Sequence, residues 1–193
     1  MPNPIEMGFD AAVEFPPHGL RARRANDQID RTNPAYQGDV WDYISAAQNA
    51  IARPPEAYPL FRGVMTGWDN TPRLQNNGQI FVNAHPENYR RWLAGMVDET
   101  RERLPPDRQF VFINAWNEWA EGCHLEPDLK WGHQYLEATK AALDAAAAGA
   151  APSRDGTPTE PKRHSRAKLA YWRARAFLAE QRDLFDNITG RRG

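Results

Sequence analysis

The sequence lacks the features that mark secreted and membrane-spanning proteins. Of its 193 residues only Cys123 is a cysteine, so the chain cannot form an internal disulfide. No apolar run approaches the ~20 residues that a membrane-spanning helix needs, and no basic-then-apolar leader opens the sequence. We therefore expect a reducing, cytoplasmic compartment and no transmembrane segment.

Clusters of metal ligands are scarce as well. His124, Glu126 and Asp128 alternate along the chain and could offer three ligands to a cation. Alternate positions in a loop need not converge, however, and no second cluster of ligands follows. The sequence therefore predicts no metal site, and nothing in it calls for an organic cofactor.

Charge is nearly balanced overall, at a net −1, but it is unevenly distributed. Residues 153–193 hold ten basic and five acidic side chains, which gives this part +5. A low-complexity, proline-containing stretch over residues 149–164 is typical of a linker, and residues 165–193 are predicted to form a basic, amphipathic helical tail. A solvated helix is the favoured interpretation of the tail, and we expect no nucleic-acid partner; contact with anionic lipid or nucleic acid is the alternative.

Three apolar segments are typical of buried strands. They cover residues 8–15, 61–68 and 110–116. The third is almost continuously apolar, as a parallel strand covered on both faces requires. Helical spacing of apolar residues follows them over residues 39–51, 86–104 and 132–148. The order β-α-β-α-β-α predicts an α/β fold with parallel strands joined by helical crossovers, although three units make only a small sheet whose edges would need covering.

Carboxylates and aromatic rings are concentrated after the third predicted strand, in the segment Asn114-Ala-Trp-Asn-Glu-Trp-Ala-Glu-Gly-Cys-His-Leu-Glu-Pro-Asp128. Parallel α/β folds place catalytic groups at the carboxyl ends of their strands. Glu118 and Glu121 are three residues apart there. Of two neighbouring carboxylates, one can hold a proton while the other acts as a base, which is the division of labour in glycoside chemistry. An arbitrary Glu-x-x-Glu pair is more often solvated or helix-capping, so this interpretation depends on its context.

Side chains that could bind a sugar flank this pair. Trp116 and Trp119 could stack on the apolar face of a pyranose ring. Asn117 could donate a hydrogen bond to a hydroxyl group, and Glu126 is a further candidate contact. Taken alone, tryptophans are more often core residues, and an asparagine at a strand end is more often a turn residue.

Polar residues also follow the other two strands. The second strand ends in Gly67-Trp-Asp-Asn-Thr-Pro-Arg73. The candidate substrate contacts of that segment are Trp68, Asp69, Asn70 and Arg73, with helix capping by Asp69 or Asn70 as the alternative. At the end of the first strand and just beyond it, Glu14 and His18 are candidates, with a rigid proline turn and a surface histidine as the alternative. Polar groups at three strand ends favour one shared substrate site.

Together, the segments Gly8 to His18, Gly67 to Arg73 and Phe112 to Asp128 resemble the WbsX-type family of bacterial surface-polysaccharide biosynthesis, which is similar to glycoside hydrolase family 99. The resemblance extends to about residue 148 and continues through Gly132-His-Gln-Tyr-Leu-Glu137. It implies a (β/α)8 barrel like that of the triosephosphate isomerase (TIM) fold. Residues 1–148 would supply its last three βα units, and the earlier strands would lie outside this chain.

The same resemblance implies a chemical role for the glutamate pair. Glu118 and Glu121 match two essential glutamates of retaining endo-α-mannosidases, which are proposed to act through a 1,2-anhydro sugar. By this resemblance Glu118 would assist the neighbouring 2-hydroxyl group as a base. Glu121 would serve as general acid and then as base at the glycosidic oxygen.

We therefore expect a carbohydrate-active protein that cleaves or transfers glycosidic bonds of an oligosaccharide or polysaccharide, without a cofactor. The motif does not distinguish hydrolysis from transfer. The alternative is a truncated, catalytically inactive remnant that at most binds glycans or a partner, such as the missing amino-terminal part of the barrel.

Overall fold

The computed structural model describes residues 3–149, with gaps at residue 28 and at residues 30–32. Apart from Gly149, the predicted linker and the predicted basic tail lie outside the described residues. The strands are β1 (Ala12–Val13), β2 (Val40–Asp42), β3 (Leu60–Met65), β4 (Ile80–Val82), β5 (Val111–Asn114), β6 (Asn117–Glu118) and β7 (Cys123–His124). The α-helices are α1 (Tyr43–Ala52), α2 (Thr71–Leu74), α3 (Pro86–Arg103) and α4 (Gln134–Ala147).

The main sheet has the order β1-β3-β5, and both of its strand pairs are parallel. This confirms the predicted α/β fold with three parallel strands. The strands are shorter than predicted. The first has only two residues, and it is preceded by a 3-10 turn at Ile5–Met7 that ends at Gly8 in the left-handed conformation. The closed barrel stays a prediction, because β1 and β5 are the edges of this sheet within the described residues.

Helices α1, α3 and α4 build most of the core. In α3 the buried residues Tyr89, Trp92, Leu93 and Met96 recur at helical spacing, so one face of the helix is apolar. Its start is fixed by Pro86 in the first turn and by His85, whose Nδ1 accepts a hydrogen bond from the Glu87 amide at 3.2 Å. The predicted bounds of α3 and α4 are correct to within two residues. The predicted start of α1 at Asp39 is wrong, because residues 40–42 form strand β2 and Asp42 caps the helix.

The opposite face of the main sheet carries apolar side chains that are half-exposed. Val13 is in register with Phe61, and Phe112 is in register with Gly63, so these side chains share one face. Phe61 contacts Phe110 and Phe112 edge to face, with ring centroids 6.0 and 6.1 Å apart. Val13, Phe110 and Phe112 are about half-exposed. We call Val13, Phe61, Phe110 and Phe112 the open sheet face; contiguous apolar surface of this kind marks interaction sites.

A second, smaller sheet pairs β2 with β4 in parallel. It covers a separate small core of Ala25, Tyr36 and Val40, against which Ile80 and Val82 pack. The sheet joins the segment between β1 and α1 to the segment between β3 and α3. Strands of three residues are too short to show a period, so the sequence pattern does not reveal them.

No helix in the part of the chain that the structure describes combines the length and the apolar character needed to cross a bilayer.

Candidate functional site

The carboxyl ends of the three main strands are tied together by hydrogen bonds. The buried side-chain amide of Asn114, at the end of β5, donates a hydrogen bond to the backbone carbonyl of Pro16, after β1, at 2.7 Å. The Asp69 amide, which follows β3, donates to the Glu121 carbonyl at 2.7 Å. The segments after the three strands therefore form one surface, as the sequence predicts, and we call residues 14–18, 66–73 and 115–128 the rim.

A short hairpin of β6 and β7 forms the third segment of the rim. Asn117 pairs with His124 and Glu118 pairs with Cys123, and the chain turns through a 3-10 turn at Trp119–Glu121 and then Gly122. Gly122 has φ +58°, and a Cβ atom there would lie 3.2 Å from the Asp69 amide nitrogen. A Cβ atom on Gly67 would lie 3.2 Å from the Gly122 carbonyl oxygen. Both motif glycines thus allow two rim segments to approach backbone to backbone.

The two candidate catalytic glutamates have different surroundings on this hairpin. Glu118 is exposed, and its carboxylate has no hydrogen bond or ion pair among the described residues. Glu121 is shielded, with 14% of its side chain exposed, and it pairs with the guanidinium of Arg73. Two carboxylates in unlike environments suit unlike roles in acid–base chemistry.

The tryptophans of the rim divide into two exposed rings and one buried ring. Trp116 is 53% exposed and Trp119 is 47% exposed, whereas Trp68 is only 6% exposed and packs in the core. The Trp119 indole nitrogen donates to Glu126 Oε2 at 2.8 Å. Trp116 and Trp119 are therefore available for stacking on a ligand, and Trp68 mainly supports the rim from below.

Asp69 and Asn70 hold the second rim segment in shape. Asp69 Oδ1 accepts hydrogen bonds from the amide and the hydroxyl of Thr71 at 3.0 and 2.6 Å. Asn70 Oδ1 accepts from the Gln79 amide at 2.6 Å. The bond to the Thr71 amide fits the helix-capping alternative for Asp69, because Thr71 begins α2, whereas the Asn70 side chain makes no cap. The predicted contact of both residues with substrate stays a prediction.

Glu14 and His18 are not joined to the glutamate pair. Glu14 follows β1 beside β3, with its carboxylate paired to Arg53 and to Arg62 Nη1 at 3.0 Å, and it also accepts from the Gly63 amide at 3.0 Å. This places the carboxylate on the helix-covered side of the sheet. His18 is exposed and stacks on Phe15 with ring centroids 6.1 Å apart. Neither residue has a described contact with Glu118 or Glu121, and their predicted contact with substrate stays a prediction.

Of the alternating residues His124, Glu126 and Asp128, the first and the last pair with each other, and Glu126 binds a different group. His124 Nε2 lies 3.0 Å from Asp128 Oδ2, while Glu126 binds the Trp119 indole. Among the described residues, no group of three or more histidine, cysteine, aspartate or glutamate side chains is placed to hold a metal ion. The network between these residues and Trp119 was not visible in the sequence, because it depends on the turn of the hairpin.

Cys123 is a packing residue in the hairpin. Its thiol donates to the Asn114 carbonyl at 2.8 Å, and burial raises its pKa above the usual thiol value. The side chain therefore fastens the hairpin to the end of β5 and is poorly suited to act as a nucleophile.

Comparison with known proteins supports the resemblance read from these motifs. The uncharacterized protein WxcX from two strains of Xanthomonas campestris pv. campestris is 45% identical over 142 residues, which cover 74% of this chain and 20% of WxcX. The chain thus spans about one fifth of the length of these curated relatives. No solved structure matches. Residues 1–139 match the model of the family described as Glycosyltransferase WbsX, and the chain therefore belongs to the WbsX glycosyltransferase family.

Proposed function

We propose that this chain forms the carboxyl-terminal part of a domain that cleaves or transfers glycosidic bonds in bacterial surface-polysaccharide biosynthesis, such as that of lipopolysaccharide or O-antigen. Membership of the WbsX family supports this proposal. The observation that carries it is the β6–β7 hairpin, which presents Glu118, Glu121 and two half-exposed indole rings at the carboxyl end of β5. Carboxylates beside exposed aromatic rings suit the chemistry and the shape of a sugar.

In the proposed mechanism the two glutamates act together on a retaining, endo-mannosidase-like path. Glu118, exposed and unpaired among the described residues, would take the proton of the sugar 2-hydroxyl group as its oxygen attacks the anomeric carbon. Protonated Glu121 would donate its proton to the glycosidic oxygen as that bond breaks, and would then take a proton from the water or acceptor hydroxyl group that opens the 1,2-anhydro ring. Its partner Arg73 is 59% exposed, and displacement of this guanidinium by an entering sugar would let Glu121 take up the proton that it donates. Asn117 and Glu126 would contact the sugar from the same hairpin, and no step needs a metal or an organic cofactor.

The proposed domain is a (β/α)8 barrel that extends beyond the three strands described. The open sheet face supports this, because in such a barrel the inner face of the sheet is filled by side chains from the other strands. Additional strands from the remainder of a longer polypeptide would cover Val13, Phe110 and Phe112 and line the rest of the sugar site. A cytoplasmic location is part of the same proposal and rests on the sequence.

A second candidate function is glycan binding without catalysis. The open sheet face is compatible with it as well, because strands that would cover this face and complete the sugar site are not among the three described. The chain would then be a truncated remnant that binds a glycan or a partner through its rim.

Glycan turnover and glycan binding, measured on the same 193-residue chain, separate these functions. The probes are neutral and acidic bacterial surface oligosaccharides and α-mannosides, with products followed by NMR and binding by calorimetry. Turnover with retention at the anomeric centre supports the proposed enzyme. Binding without turnover by this chain, together with turnover of the same probe by the full-length Xanthomonas WxcX, supports glycan binding for this chain alone and the proposed chemistry for the complete domain. If neither protein binds any glycan, both functions are refuted.

A further inference from the structure

Trp119 is held in a fixed orientation by its neighbours on the rim. Its ring stacks on the His124 imidazole, with centroids 3.8 Å apart and an angle of 24° between the planes. Its indole nitrogen donates to Glu126 Oε2 at 2.8 Å. One face of the indole and its polar edge are therefore occupied, and the 47% of the side chain that is exposed must lie mainly on the other face and the remaining edges.

His124 is fixed in turn by Asp128. The His124 side chain is only 15% exposed, and its Nε2 lies 3.0 Å from Asp128 Oδ2. The other oxygen of Asp128 accepts a hydrogen bond from the Trp131 amide. A carboxylate that accepts from one ring nitrogen sets both the tautomer and the orientation of an imidazole. The buried His124 Nδ1 has no hydrogen-bond partner among the described residues, so Asp128 is the group that orients this ring.

Such an arrangement is unusual for a side chain with only a packing role. A half-exposed tryptophan on a turn would normally sample several rotamers, and immobilising it has an entropic cost. Here a stacked ring, a carboxylate on the indole nitrogen and a second carboxylate behind the imidazole all restrain one exposed surface. Trp116, on the same rim, is 53% exposed, and its side chain has no comparable restraint among the described contacts.

We infer that His124 is a positioning residue, which Asp128 orients and which holds Trp119 as a preformed platform for a pyranose ring next to the glutamate pair. The inference rests on the proposed function and adds to it the substrate feature that is recognised: the apolar C–H face of a sugar. A platform that is rigid before binding loses less entropy when the sugar stacks on it. Trp119 lies between Glu118 and Glu121 along the chain, at the start of the 3-10 turn that also carries Glu121, so a sugar on the platform would contact the same hairpin.

The test compares four variants of the 193-residue chain: Trp119→Ala, His124→Ala, His124→Phe and the control His133→Ala. His133 is exposed before α4 and makes no side-chain cap. An aromatic pair contributes about 0.5–1.5 kcal/mol, and 1.4 kcal/mol corresponds to tenfold in affinity. We therefore expect His124→Ala to weaken binding of the best oligosaccharide probe roughly two- to tenfold. Trp119→Ala should weaken it at least as much, and His124→Phe, which keeps a stacked ring, should restore most of the affinity.

A spectroscopic readout follows the stack without a ligand. The seven tryptophans can be labelled as 5-fluorotryptophan, and the Trp119 fluorine resonance is assigned with Trp119→Phe. His124→Ala should move this resonance through loss of the imidazole ring current, whereas His133→Ala should leave it unchanged.

The outcomes separate the inference from the proposed function. An oligosaccharide affinity of Trp119→Ala, or of His124→Ala, that equals the wild-type affinity overturns the platform and leaves the proposed function intact. A Trp119 resonance that does not respond to His124→Ala also overturns it. If neither the wild-type chain nor the full-length Xanthomonas WxcX binds an oligosaccharide, the proposed function and the platform are refuted together.

Discussion

Replacing Glu14 by glutamine tests whether this carboxylate is a structural ion-pair partner or a sugar contact. Arg62 is only 4% exposed, and it lies between Glu14 and Glu99. Arg62 Nε is 2.8 Å from Glu99 Oε2, but the N–H does not point at the oxygen, so this second contact is electrostatic rather than a hydrogen bond. Among the described residues, Glu14 is therefore the carboxylate that accepts a hydrogen bond from this buried guanidinium.

The size of the effect follows from the burial of this pair. Removing one partner of a buried ion pair typically costs about 3–5 kcal/mol, because the other charge is left buried. Arg62 keeps Glu99 and a hydrogen bond to the Ala50 carbonyl, and glutamine can still accept from the Gly63 amide, so we expect a loss of about 2–3 kcal/mol. For a chain of this size 1 kcal/mol corresponds to about 2–4 °C in Tm, which gives a fall of roughly 5–10 °C.

Thermal unfolding followed by circular dichroism measures this directly. The control is Asp144→Asn, which removes an exposed ion pair with Lys140 and should change the free energy of unfolding by about 0.5 kcal/mol or less. An unchanged Tm for Glu14→Gln, together with a loss of glycan affinity, would refute the structural role and return Glu14 to the sugar site.

Three further predictions concern single residues around the rim and the helices. Burial lowers the pKa of His85 below its ordinary value of 6.5, so just below that pH this side chain is protonated more in the unfolded chain than in the folded chain. The free energy of unfolding should therefore fall as the pH drops from about 6.5 through the folded-state pKa. His85→Asn keeps a helix cap that does not titrate, and it should flatten the free energies of urea unfolding between pH 7 and 5. Gly122→Ala should lower the free energy of unfolding by about 1–3 kcal/mol, and by more than Gly132→Ala, because Gly132 has a similar φ but open space around it. Equal losses in the two variants would contradict the close approach of the two rim segments. Cys123 should react with iodoacetamide only after unfolding, because burial raises its pKa and shields its thiol, and rapid labelling of the folded chain at pH 7.5 would show that the hairpin does not pack as described.

The sequence predicts the parts of this fold whose signals are long or repeated. The apolar run that contains β5 and the helical spacing in α3 each determine an element, and parallel pairing follows from the alternation of strands and helices. The small β2–β4 sheet escapes prediction because each strand has three residues and gains its partner only through tertiary contact. The carboxyl-end rule likewise brings the three rim segments together without any structural information.

The roles of individual rim residues depend on contacts that the sequence does not contain. The sequence around Trp68 and Trp119 predicts the same substrate-binding role for both, but Trp68 is buried in the core and Trp119 is half-exposed. Glu14 directly follows β1, and Glu118 lies in the hairpin that follows β5, so both are near strand ends. The register of β1 with β3 nevertheless turns the Glu14 carboxylate towards Arg62 on the helix side. Side-chain direction at a strand end changes with each residue, so a shift of one position separates a site residue from a structural one.

The most direct test of the glycosidic function is the turnover of an oligosaccharide substrate by Glu118→Gln and Glu121→Gln. The control is Glu137→Gln, an exposed glutamate on α4. Loss of a general acid or base typically lowers rates by about 10²–10⁴-fold. We predict a fall of that order in kcat for each rim variant, with glycan affinity and Tm near those of the wild type. Turnover by either rim variant at the rate of Glu137→Gln would show that the glutamate pair does not carry the reaction.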